Sequence, residues 1–223
     1  MAKNPQIRSP QGTAIFPHLN SPDTKFNPEG DYKVDLRVSE ADAQELMDKL
    51  NEIVEPFYEE TKASLKTKKK REALKMSVPF WEEEDEEGEP TGNVIFRFKS
   101  KAVGKNNKTG ETWKNQVALF DGKGKPTKVK VGGGSTIKVA AEVVPFHMAS
   151  NDAAGVTLRL KAVQVIELSE FGSRSADSYG FGAEDGGFED DGSYEDAEFD
   201  TQHPDTEGTD ADPDPEDEEK EDF

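Results

Sequence analysis

The sequence predicts a mainly β protein: a small closed or partly closed barrel with one principal helix, followed by an acidic segment unable to fold alone. Three observations carry this. Several stretches alternate apolar and polar side chains with period two, and one stretch repeats at helical spacing. Residues 173–223 contain no Val, Ile, Leu, Met or Trp, so they cannot bury enough surface to offset their ordering entropy.

A short first strand is expected around Thr13–Phe16. In Asp31–Val38, Tyr32, Val34, Leu36 and Val38 share one face while Lys33, Asp35 and Arg37 share the other. Ser39 then suits an N-cap, with Asp42 three residues on, and Leu46, Met47, Leu50, Ile53, Val54 and Phe57 repeat as a helix that Pro56 should kink or end. Glu82–Glu89 places seven acids around Gly88 and reads as a solvated loop. Asn93–Val103 points Val94, Phe96 and Phe98 one way and Ile95, Arg97, Lys99 and Lys101 the other. Trp113, Asn115, Val117 and Leu119 alternate in a segment ending at the turn signal Asp121-Gly122. Ser135–Phe146 turns Ile137, Val139, Ala141 and Val143 inward. Val156, Leu158 and Leu160 open the last strand, and a phase slip near Ala162-Val163 predicts a bulge.

The chain has 223 residues, 32% of them hydrophobic, with no cysteine. A disulfide scaffold, a thiolate metal site and a Cys nucleophile are thereby excluded. No apolar run approaches a membrane span, and Met1–Pro5 shows no signal peptide, so a soluble intracellular protein with no membrane partner is expected. The net charge of −19, from 28 bases and 47 acids, at first argues against nucleic acid. Its location reverses the inference. Residues 173–223 carry 21 acids and two bases, leaving 26 of each in residues 1–172. Within that body, Lys62–Lys75 holds seven bases against Glu72, and Arg97–Lys138 holds eleven against Glu111 and Asp121.

Catalytic chemistry is missing. His18, His147 and His203 are scattered, and Gly132-Gly133-Gly134-Ser135 lacks the lysine of a phosphate loop. The acids from Asp210 to Glu221 imitate calcium-loop spacing, but Pro215 stands where the turn needs glycine. No enzyme activity, metal or cofactor is expected.

A basic groove with interleaved rings is what sequence-independent single-strand binding requires. Arg97, Lys99 and Lys101 share one strand face, Lys138 the matching face of another, and Lys128 and Lys130 precede the glycine turn. Lys69 and Arg71 belong to the earlier basic stretch. Trp113 and Phe146 sit among these bases, although Trp113 shares parity with Val117 and Leu119 and is equally placed for the core.

Particular segments carry a resemblance: Asn27-Pro28-Glu29-Gly30 followed by Tyr32–Leu36, Val78-Pro79-Phe80, Phe96-Arg97-Phe98-Lys99, Val131–Ser135 running to Val144-Pro145-Phe146, Glu167–Gly172, and the acidic end Asp222-Phe223. In these the chain resembles the single-stranded DNA-binding proteins of short-tailed, Autographivirus-type bacteriophages. The resemblance implies an OB-fold, a five-stranded Greek-key barrel with one principal helix over residues 1–172, and a disordered acidic tail over 173–223. It also implies binding of single-stranded DNA in replication, recombination and repair, strand annealing, a homodimer, and a place in the cytoplasm of the infected bacterium. Such tails contact the phage DNA polymerase and helicase–primase, which assigns Glu216, Asp217, Glu218, Glu219, Glu221, Asp222 and Phe223 to partner binding, Phe223 as the anchor. Lys3, Lys99 and Phe146 fall at positions like the DNA-contacting ones of the family, with Phe146 in place of a tyrosine. Glu29 stands where a base is expected, Lys101 where an aromatic is expected, and Ala140 where a lysine is expected. The rival reading is a chaperone of basic proteins that works through the acidic tail.

Overall fold

Five strands close a ring. The structure, a computed structural model, describes residues 4–105 and 110–169. In chain order the elements are β1 (Gln6–Arg8), β2 (Gly12–Asp23), β3 (Asp31–Ser39), α1 (Glu40–Ser64), α2 (Lys68–Ala73), β4 (Lys75–Ser77), β5 (Phe80–Glu84), β6 (Pro90–Lys101), β7 (Val103–Lys105), β8 (Thr112–Lys114), β9 (Ala118–Phe120), β10 (Thr136–Met148) and β11 (Ala153–Glu167). Hydrogen bonds run β2 to β3, β3 to β6, β6 to β11, β11 to β10, and β10 back to β2. The β6–β11 seam is parallel and the other seams of this ring are antiparallel. Closure removes the exposed edges an open sheet would have. β1 extends β10, β4 and β9 run parallel to β11, β5 pairs with β6, and β7–β8 form a separate hairpin.

The period-two pattern sets which side chains fill the barrel. Val34 and Leu36 of β3, Phe96 and Phe98 of β6, Ile137 and Val143 of β10, and Leu158 and Leu160 of β11 are fully buried. The expected bulge is present: Ala140 faces Ala162 while Ala141 faces Leu160, so Lys161 is the extra residue. Val163 and Val165 then return to the core, each buried. α1 lies against β11, β10, β3 and β6, burying Ala43, Leu46, Leu50 and Val54. Truncating Leu50 to Ala would cost about 2–5 kcal/mol through lost burial and the cavity left behind.

The helix begins where expected, the Ser39 hydroxyl accepting from the Asp42 amide at 3.3 Å. It does not end at Pro56 but runs on to Ser64. Pro56 and Glu52, the residue whose carbonyl loses its intrahelical partner, both lie on the exposed side of the helix, so the lost bond is not buried. The strand expected first, at Thr13–Phe16, is β2, longer at Gly12–Asp23, and an unforeseen β1 at Gln6–Arg8 precedes it. Two further expectations fail. Trp113–Leu119 is not one strand: β8 belongs to the hairpin and β9 to the main sheet. Glu82–Glu89 is only partly loop, since β5 takes its first three residues and a turn closed by Gly88 donating to Asp85 returns the chain to β6. No helix among the described residues is long and apolar enough to cross a membrane.

Candidate nucleic-acid interface

Strand register builds a row of charge across the outer face of the barrel. Lys33 of β3 faces Lys99 of β6, Lys99 faces Arg159 of β11, and Arg159 faces Glu142 of β10. Around the C-terminal half of β6 this face forms a groove of about 950 Å³, whose bases are Lys99, Lys101, Lys105, Arg159 and Lys161. Glu29 and Asp31 stand on its wall, at the turn between β2 and β3. Gly30 makes that turn at φ +80°, a left-handed backbone that favours glycine, and donates to the Asn27 carbonyl.

The β7–β8 hairpin places Trp113 at the groove, 55% exposed. The cross-strand partner of Trp113 is Gly104, where any added Cβ would collide with the indole. The glycine thus lets the ring lie flat against the hairpin with its other face open. Exposure takes Trp113 out of the core: it is a surface ring, whereas Val117 and Leu119 are core.

Three of the five groove bases are held by carboxylates. Asp31, itself buried, accepts from Lys99 at 3.0 Å, and Glu142 bridges Arg159 at 3.4 Å and Lys161 at 3.3 Å. Asp35 takes both arms of Arg97, at 2.9 and 2.8 Å. These two bonds raise the Arg97 pKa above its ordinary value, outweighing the opposite pull of partial burial. Asp23 is held below the usual carboxylate range by its bond from Lys33 and by the Lys25 amide. Paired carboxylates aim the cations and reduce their mutual repulsion, at the cost of part of the field that attracts phosphate.

The structure brings Lys99, Lys101 and Trp113 together in one groove. Arg97 lies on the same strand face, its guanidinium 4.8 Å from the centre of the Trp81 ring. Phe146 is half-buried on the outer face of β10, opposite Gly155 and on the side of Glu142. Lys138 is exposed farther along that strand. Lys128 and Lys130 do not line the groove: their segment is tied to β2, where the Asn20 amide donates to the Lys128 and Val129 carbonyls. Lys69 and Arg71 sit on α2, also outside it, with Arg71 donating to the Leu65 carbonyl at 2.9 Å. These four separate because charge runs in sequence carry no information about which strands become neighbours. Lys3 and the tail residues Glu216–Phe223 lie outside the described residues. Sequence reasoning passed over Lys105, Arg159 and Lys161. Arg159 carried a readable signal, since it alternates with the buried Leu158 and Leu160.

A closed five-stranded barrel with one parallel seam, bearing a basic groove with an exposed ring, defines an OB-fold protein of the nucleic-acid-binding kind. The family model described as single-stranded DNA-binding protein, bacteriophage T7, matches residues 12–168. The chain belongs to that family. It is 33% identical over 174 residues to the single-stranded DNA-binding protein of Enterobacteria phage T3, covering 73% of this chain and 72% of the relative. To that of Escherichia phage T7 it is 32% identical over 163 residues, 68% of each chain. The crystal structure of gp2.5, the bacteriophage T7 protein, superimposes with a TM-score of 0.62 at 30% identity, over 84% of this chain and 99% of that one. A single-stranded DNA-binding protein of bacteriophage Enc34, solved with single-stranded DNA, shares the fold at a TM-score of 0.52 and 12% identity, over 75% and 89%. These relatives are named as binding proteins, a class that is not enzymatic.

Proposed function

We propose that this chain binds single-stranded DNA without sequence preference, along the groove between the C-terminal half of β6, β11 and the β7–β8 hairpin. The observation that carries the reading is Trp113 lying open beside Lys99, Lys101 and Arg159. A π-face accepts any base and the cations follow the backbone. Phe146 extends the platform along β10, and Lys138 continues the basic track.

Family membership supports a role in phage DNA replication, recombination and repair, including the annealing of complementary strands, in the cytoplasm of the infected cell. In this reading residues 1–172 are the DNA-binding body and 173–223 a polyanionic arm. The arm competes with DNA for basic surface and, through Phe223, recruits the phage polymerase and helicase–primase, the protein acting as a homodimer. Titration of full-length protein with oligo(dT) tests this. Tryptophan fluorescence should quench on binding and recover as salt is added. A protein that ignores oligo(dT) and binds histone-like proteins instead would be the acidic-tailed chaperone. Deleting residues from about 200 onward should tighten binding at low salt and abolish polymerase recruitment; unchanged DNA affinity would rule out competition by the arm.

A further inference from the structure

The outer face around β6 carries a second groove, also of about 950 Å³, at the strand's other end. There β5, not β11, is the neighbour of β6, with Trp81 facing Ile95. Its walls hold Asp35, Glu40, Glu82, Glu83 and Glu84. Arg37, the one base among the lining residues, is bound by Glu83. Arg97 at its edge is bound by Asp35 and stacks on Trp81, which leaves Glu40, Glu82 and Glu84 as the unpaired acids of the rim. Two rings line it in the open, Trp81 at 41% exposure and Phe16 at 78%. Phe16 is held at φ +46°, a left-handed backbone unusual for a bulky residue, where the β2–β3 register breaks between Ile15 and His18. Exposed rings under an acidic rim suit a partner that is cationic and carries apolar anchors. DNA is repelled there, and so is the acidic segment 173–223.

This chain carries a segment of the required chemistry. Lys66–Arg71 has five bases in six residues, and Leu65, Leu74 and Met76 flank them. Lys66, Lys68, Lys69 and Lys70 are exposed, and the ion pairs this arm makes, Lys62–Glu59 and Lys68–Glu72, stay within its own helices. The described body thus presents an acidic aromatic groove and a basic arm that do not meet within one chain.

We infer that the basic arm of one copy docks in the Phe16–Trp81 groove of a second copy, so that proteins bound side by side on one strand hold each other. The consequence for DNA rests on the function proposed above; the protein–protein contact does not. Copies lined up on one strand meet at high effective concentration, so a contact too weak to assemble free protein still couples them.

The test compares full-length protein with the charge-reversed Glu82→Lys/Glu84→Lys variant, on oligo(dT) short enough for one copy and on a strand long enough for many. Wild type should bind the long strand cooperatively, with neighbouring copies favoured by at least about tenfold. The variant should lose that preference while its affinity for the short oligonucleotide stays within about twofold, since neither glutamate lines the DNA groove. Adding Lys68→Glu/Lys70→Glu to the variant should restore coupling. A synthetic peptide of residues 62–76 should perturb Trp81 fluorescence in a Trp113→Phe background, and salt should reverse it. Coupling that survives the charge reversal, non-cooperative wild-type binding, or a peptide without effect would each overturn the contact. Failure on the short oligonucleotide would instead count against the DNA-binding function, leaving the peptide titration to decide the contact.

Discussion

The two ends of β6 present grooves of the same size, each with an exposed tryptophan and opposite charge. At the C-terminal end β11 supplies Arg159 and Lys161 beside Lys99 and Lys101; at the N-terminal end β5 supplies Glu82, Glu83 and Glu84. Arg97 lies between them, bound to Asp35 and stacked on Trp81. An exposed aromatic ring alone therefore does not distinguish the two grooves. Trp113 and Trp81 differ in the charge that the adjoining strand brings, and that neighbour changes partway along β6.

The largest test of this contrast removes the ring from the basic end. Trp113→Ala should cost about 1–3 kcal/mol of single-strand affinity, the worth of one stacked base, whereas Trp81→Ala should leave affinity for a short oligonucleotide nearly unchanged. Gly104→Val approaches the same result without touching the ring, because its side chain needs the space the indole occupies. Its affinity should fall toward that of Trp113→Ala while circular dichroism stays native; a wild-type titration curve would show that the ring's resting position is immaterial.

Next come the cations. Replacing both Lys99 and Lys101 with Ala should lower the magnitude of the salt slope by about 1.4, roughly 0.7 for each lost phosphate contact. Asp31→Asn should act the other way, freeing Lys99 from its carboxylate, steepening the slope and tightening binding a few-fold at low salt. Weaker binding by Asp31→Asn would mean that aiming Lys99 matters more than unmasking its charge.

The smallest effect concerns the acidic end's own stability. Burial works to raise the Glu83 pKa, but hydrogen bonds from Arg37, Thr91 and Asn93 prevail and hold it below the ordinary value of 4.5. A carboxylate with a lowered folded-state pKa adds stability that is fully present above its unfolded pKa and lost as pH falls through the folded one. Glu83→Gln should therefore lower Tm by about 2 °C at pH 7, with the difference shrinking below about pH 4. A constant difference across that range would assign the loss to packing.

Much of the barrel was legible in local pattern. The inward faces of β3, β6, β10 and β11, the Ser39 cap and the bulge at Lys161 follow from the alternation of side chains and its one slip. The candidate groove is legible only in part: of the expected residues Lys99, Lys101 and Trp113 line it, Lys69, Arg71, Arg97, Lys128, Lys130, Lys138 and Phe146 do not, and Lys105, Arg159 and Lys161 line it unannounced. Trp113 shares parity with Leu119, yet the chain leaves one sheet and joins another between them, which no periodicity announces. Glu83 looked like a solvated acid because the arginine that binds it is 46 positions away in sequence.

By itself the sequence determined which residues face the core, where the helix starts and how charge divides at residue 172, because these depend on side-chain order along one strand or turn. The tertiary structure alone decided which strands adjoin β6 at each end, and hence which of its two aromatic grooves is basic. That choice rests on ring closure and on register between distant segments. A carboxylate reaches its lysine, or a glycine its indole, only across such a register.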